Sequence, residues 1–137
     1  MFTNPALRIL RLGVPVAALG LAIALGTAAR AQSKKDFAVT AHKYGFTVDG
    51  NGSEIRVQQD DLVHITFSTE DIPHSFTVED EPYRLMRRAE PGKSVTFDFR
   101  ADKVGKFRIK CTLAADDRCK EMVGWLVVDA RRQSHAR

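Results

Sequence analysis

The chain has 137 residues, with 21 Lys and Arg against 17 Asp and Glu, a formal charge of +4, and 44% hydrophobic residues. That length supplies one hydrophobic core of ordinary size but not two. The positive excess sits almost wholly in Arg8, Arg11 and Arg30; residues 32–137 hold 18 basic against 17 acidic side chains, a near balance that gives no electrostatic case for nucleic-acid binding.

Residues 1–31 read as a secretory signal peptide. Arg8 and Arg11 form a positive start, Leu12–Gly26 is an uncharged apolar run, and Ala29 and Ala31 are small residues placed before a cut after Ala31. The run is shorter than the ~20 residues of a membrane-spanning helix and contains Pro15, so membrane attachment is expected only if the leader is retained as an anchor. The expected mature chain, residues 32–137, is a single domain with a short basic tail, "RRQSHAR". Its expected location is the periplasm or the exterior, where disulfides persist.

From Asp36 onward the pattern is one of short strands. Asp36–Phe46 alternates weakly and is expected as one strand, followed by a turn at Gly50–Ser53. "EIRVQQ" places Ile55 and Val57 on one face. In "DLVHITFSTE", Val63, Ile65 and Phe67 face one way, with His64, Thr66 and Ser68 opposite. "HSFTVED" follows Pro73. Asp80–Pro91 carries little pattern and is expected as a long connection or a short helix. "SVTFDFRA" lines up Val95, Phe97 and Phe99; "KVGKFRIKC" directs Phe107 and Ile109 inward; "MVGWLVVDA" is nearly continuous in apolar residues, as a buried strand is. Seven or so strands at short spacing, with no long amphipathic helix, predict an antiparallel sandwich or barrel. The expected core includes Val63, Ile65, Phe67, Phe97, Phe99, Ile109 and Val127.

Both cysteines lie in "CTLAADDRCKEM", Cys111–Met122. In an exported chain they can form a disulfide, or serve as metal ligands with a distant histidine such as His74 in "EDIPHSFTVED". No nucleophile elbow, HExxH, phosphate-cradling glycine loop or CxxC is present, and no enzymatic activity is expected.

Taken in order, "EDIPHSFTVED", "RRAEPGKSVTFDFRADKVGKFRIKC" and "EMVGWLVVDA" resemble the copper (CuA-type) domain of cytochrome c oxidase subunit II, over Asp36–Ala130. The resemblance implies an all-β Greek-key cupredoxin sandwich of about 7–8 strands. The family's loop, Cys-x3-Cys-x3-His-x2-Met, falls here on Cys111, Ala115, Cys119 and Met122. Without a thiolate at 115 the family's two-copper core cannot form within one chain. What remains is His74, Cys111, Cys119 and Met122, a soft set suited to one copper ion cycling between Cu(I) and Cu(II). The alternative for Cys111 and Cys119 is to pair as a disulfide, which the geometry of a cupredoxin loop does not exclude. The implied role is electron transfer or copper holding and delivery, with a redox or copper-handling protein as partner; the alternative is a metal-free structural or binding module stapled by Cys111–Cys119. A monomer is expected, with a ligand-sharing dimer as the variant that would rebuild a multinuclear site.

Among the remaining candidates, His64 is expected on the solvent face, His42 on an undecided face, and His135 in the solvated tail. Met86 is expected to pack over the core, Trp125 to be core or a shielding aromatic, and Asp116 and Asp117 to be solvated.

Overall fold

The computed structural model describes residues 32–132; the expected leader and the tail from Gln133, including His135, lie outside them. Among the described residues nine strands form: β1 (Lys34–His42), β2 (Gly45–Val48), β3 (Glu54–Gln58), β4 (Leu62–Thr69), β5 (His74–Val78), β6 (Leu85–Ala89), β7 (Ser94–Arg100), β8 (Gly105–Ile109) and β9 (Gly124–Asp129), with one short 3-10 helix at Asp117–Glu121. One sheet has the order β2-β1-β4-β7, a second β3-β9-β8, and β5-β6 forms a ribbon joined to the second sheet by a bridge between Thr77 and Lys110.

The alternation that predicted β4 holds: Val63, Ile65 and Phe67 are fully buried, and they meet Phe76 of β5, Phe97 of β7 and Leu126 of β9 in one core. A run of rings, Phe46–Phe67–Phe76–Phe97, crosses it with centroids 6.5, 5.9 and 5.2 Å apart. Tilted and edge-on contacts of this kind each add ~0.5–1.5 kcal/mol beyond burial. Tyr83 closes one end between Phe99 and Phe107, and its hydroxyl donates to the Lys103 carbonyl.

Four expectations need correction. The pairing is not antiparallel throughout: β1–β4 and β3–β9 are parallel, because each pair joins strands far apart in sequence whose connection crosses to the other sheet. Asp36–Phe46 is not one strand but the hairpin β1–β2, closed at His42↔Gly45. A Cβ at Gly45 would lie 3.3 Å from the His42 ring, which is a close approach for a side chain. Asp80–Pro91 is neither a plain connection nor a helix; it contains β6, antiparallel to β5. Leu85, Arg87 and Ala89 share one face, opposite Val78, Phe76 and His74, and of these three only Ala89 is fully buried. The arginine conceals the period in the sequence because its guanidinium caps the Phe97 ring, 5.3 Å from the centroid. Met86, on the opposite face of β6, is 55% exposed rather than packed over the core.

Trp125 is half-buried on the outer face of β9 with the Lys106 ammonium 4.4 Å from its ring centroid. His64 is half-buried on the solvent side of β4, its Nδ1 2.5 Å from Asp98 Oδ1. His42 is also half-buried and bonds Thr47 Oγ1 at 3.1 Å.

Candidate metal centre

Three segments meet at one end of the sandwich: the β1–β2 turn, the β4–β5 loop, and the loop from Cys111 to Met122. β5 starts at His74, which alternation turns inward with Phe76 and Val78, so its imidazole is fully buried. β8 delivers Cys111 just past its last residue, and the 3-10 helix returns the chain so that Cys119 lies with its Cα 5.3 Å from that of Cys111. The two cysteines are joined as a disulfide. Met122 ends the helix, its amide donating to the Cys119 carbonyl at 3.2 Å, and its side chain is fully buried.

The ligating atoms of His74, Cys111 and Cys119 all lie within 4.8 Å of one another. His74 Nδ1 is 3.9 Å from each sulfur. Its other nitrogen, Nε2, is 2.9 Å from Asp71 Oδ1. An ionised carboxylate only accepts, so Nε2 carries a proton, and Nδ1 is the ring nitrogen that faces the two sulfurs. Asp71 is itself held by the amides of Lys43 (2.6 Å) and Ile72 (2.7 Å). Burial pushes its carboxyl up, but the hydrogen bonds from Ile72, Lys43 and His74 outweigh that and leave it below the ordinary carboxylate range. The carboxylate is therefore charged at neutral pH and fixes the ring. The Ser75 amide donates to Cys111 Sγ at 3.4 Å, which would stabilise a thiolate there.

The loop has its own anchors. Asp116 caps the helix by accepting from the Arg118 amide at 2.9 Å and accepts from the Tyr44 hydroxyl at 3.0 Å, while the Arg118 guanidinium stacks 4.1 Å from the Tyr44 ring centroid. The bond to Asp116, and then burial, raise the Tyr44 hydroxyl above its ordinary pKa. Asp117 is exposed as expected; Asp116 is half-buried and is the tie between this loop and the β1–β2 turn. Ala115, at the position of the family's second cysteine, is exposed.

His74, Cys111 and Cys119 are thus brought together, and Met122, three residues after Cys119, is fully buried. His64 and His42 are held elsewhere by their own partners, and Met86 is outside the centre. Asp71 belongs to "EDIPHSFTVED", where an acid ahead of the histidine is part of the resemblance, and Tyr44 is not singled out by the sequence. Asp71 carried a signal, an acid three residues before a histidine, as carboxylate–imidazole–metal chains require. Tyr44 carried none, because its partner is 72 positions away.

No protein-family model and no curated protein matches the chain. Solved structures do. A chain of a heme-copper terminal oxidase dimer superposes with a TM-score of 0.62 at 19% identity, over 74% of this chain and 68% of its own. The periplasmic domain of subunit II of cytochrome oxidase (CoxB) of Bradyrhizobium japonicum gives 0.58 at 18%, over 69% and 83%. Auracyanin A, a blue copper protein from Chloroflexus aurantiacus, gives 0.57 at 16%, over 71% and 100%. The chain has the all-β cupredoxin fold that the resemblance implied.

Proposed function

We propose that this is an exported cupredoxin that holds one copper ion through His74, Cys111, Cys119 and Met122 when the two cysteines are reduced. The observation that carries this is the imidazole: Nδ1 stands 3.9 Å from both sulfurs while a carboxylate fixes the proton on Nε2. A purely structural disulfide has no use for a buried, carboxylate-oriented ring nitrogen turned toward it. The donor set, an imidazole, two thiolates and a thioether, fits copper. Copper would supply a one-electron couple, or a soft cargo held as Cu(I).

The chain's own residues do the rest. Asp71 holds the tautomer and the ring plane. The Ser75 amide offsets thiolate charge on Cys111. With every candidate ligand no more than 1% exposed, the site excludes water. Rigid strands on both sides keep the ligands in place whichever charge the centre carries. Two thiolates tilt the role toward Cu(I) holding and delivery over electron transfer alone. A periplasmic or secreted location follows from the leader pattern and agrees with a disulfide. The partner is a redox or copper-handling protein, a monomer suffices, and the role is that of a carrier rather than an enzyme.

A second reading is favoured by the observed Cys111–Cys119 pairing: a metal-free module stapled by that bond. The two readings describe two oxidation states. Opening the disulfide takes two electrons and two protons and yields two thiols, and copper binding then releases those protons. Titration of reduced residues 32–137 with Cu(I), with thiols counted at each step, separates them. One tight equivalent that protects both thiols and is lost in Cys111→Ser and Cys119→Ser supports the copper centre. No binding, with both thiols lost to a disulfide in air, leaves the staple.

A further inference from the structure

The buried centre approaches the surface at Cys111. That residue lines an open cleft of about 290 Å³ with Glu79, Arg108, Lys110, Thr112 and Lys120. Glu79 is the acid in this lining, and it is ion-paired with Lys110. Arg108 and Lys120 are exposed, and no acidic side chain is left in the cleft to neutralise them. The alternation of β8 makes this a stripe: Phe107 and Ile109 turn inward, and Lys106, Arg108 and Lys110 line up outward, ending at Cys111. Trp125 lies half-buried under Lys106. On the other side of Glu79 is a second, shallower groove that includes Val78, Leu85 and Met86, where Met86 is 55% exposed; its one cation, Arg84, is paired with Glu81.

We propose that this face is a docking surface for an acidic partner protein, with Arg108, Lys120 and the β8 stripe meeting its carboxylates, Met86 entering as the apolar anchor, and Cys111 at the point of exchange. The inference deepens the copper reading by naming the surface and charge of the partner. Three features favour a protein over a small anion. The cationic stripe continues past the cleft to Lys106. It is flanked by a methionine and a tryptophan, which with arginine are the residues enriched in protein interfaces. The apolar groove adjoins the charged one, as a desolvated anchor beside a polar rim requires. Charge complementarity at such a face acts mainly on the rate of encounter.

The test uses the copper-free, disulfide-bonded protein, so its outcome is independent of metal binding. The probe is a reduced dithiol protein of thioredoxin type with an acidic surface, set beside a charge-reversed version of itself and beside mercaptoethanesulfonate, a small anionic thiol. Cys111 is 1% exposed at rest, so exchange follows an opening of the loop that is common to all probes, and the ratios between probes report docking. A probe thiolate then bonds to Cys111 Sγ, the Cys111–Cys119 bond breaks with its electron pair on Cys119, which takes up a proton, and a second probe thiol displaces Cys111 as the probe disulfide forms. The acidic probe should outpace its charge-reversed version, and added salt should erase the difference. Arg108→Glu/Lys120→Glu should slow the acidic probe ~10-fold at low salt. Met86→Asp should slow the protein probe and leave the small thiol unchanged. The control Lys34→Glu/Lys35→Glu, at the start of β1, should change neither.

Equal slowing in the control would overturn the proposal. So would slowing of the small thiol alone, which would make the cleft a small-anion site. Co-sedimentation with phosphatidylglycerol vesicles that depends on Arg108 and Lys120, together with an unaltered rate for the protein probe, would assign the face to a membrane and overturn it as well.

Discussion

Two histidine–aspartate pairs in this molecule have the same chemistry and opposite settings. His64 on β4 bonds Asp98 through Nδ1 on the outer face of a sheet, with the aspartate 55% exposed. His74 at the start of β5 bonds Asp71 through Nε2 and is fully buried. The first pair is a cross-strand contact screened by water, worth ~0–1 kcal/mol. In the second, the bond orients a ring whose other nitrogen faces two sulfurs. An imidazole becomes a ligand by what its second nitrogen is left to do, and burial decides whether that orientation is kept.

The comparison breaks most sharply under alanine substitution. His74→Ala should abolish tight Cu(I) binding by the reduced protein, while His64→Ala should leave it within about twofold, since its partners are all on the outer sheet face; competition against a Cu(I) chelator of known affinity reads both. Asp71→Ala should weaken Cu(I) binding ~10–100-fold, as loss of a carboxylate behind a ligating imidazole does, whereas Asp98→Ala should not. Equal effects of the two aspartates would remove the distinction drawn between the pairs.

Smaller effects concern the frame. Reducing Cys111–Cys119 in the metal-free protein should lower stability by ~2.5 kcal/mol, the chain-entropy value for a sequence separation of 8; denaturant unfolding with and without reductant measures it. His64→Ala should shift the same curve by less than ~0.5 kcal/mol. The smallest expected effect is at Tyr44. Its hydroxyl is raised above the ordinary value of 10.0 by Asp116. The protonated form is therefore favoured by folding, and its contribution is full below that value and fades as pH rises through the raised one. Amide protection factors in the 112–121 loop, corrected for the base catalysis of exchange itself, should fall in that alkaline window, and Tyr44→Phe should remove that fall.

Much of this was legible in the residues. The period-two rows of β4, β7 and β8 gave the core, because a sheet with one wet face must alternate. His74, Cys111 and Cys119 are drawn together by resemblance: Cys111 and Met122 fit the family's loop, Cys119 falls where that loop has histidine, and His74 matches the family's separate histidine segment. β6 was not legible, since Met86, Arg87 and Arg88 are all exposed and only Ala89 is buried, so no alternation marks the strand. The β1–β2 hairpin was missed because its turn falls within a weakly alternating run. The parallel pairings were missed because they depend on which sheet each connection crosses to. The bond between the cysteines was left open for a further reason: the same geometry serves a disulfide and a dithiol, and the oxidation state is set by the surroundings.

The central claim, that one copper ion is held by His74 together with both cysteines, is met most directly by copper K-edge X-ray absorption on the Cu(I)-loaded protein. The account predicts a shell dominated by sulfur with one imidazole nitrogen, the nitrogen absent in His74→Ala and the sulfur diminished in Cys111→Ser and Cys119→Ser. A shell of nitrogen and oxygen alone, or one unchanged by those substitutions, would contradict it.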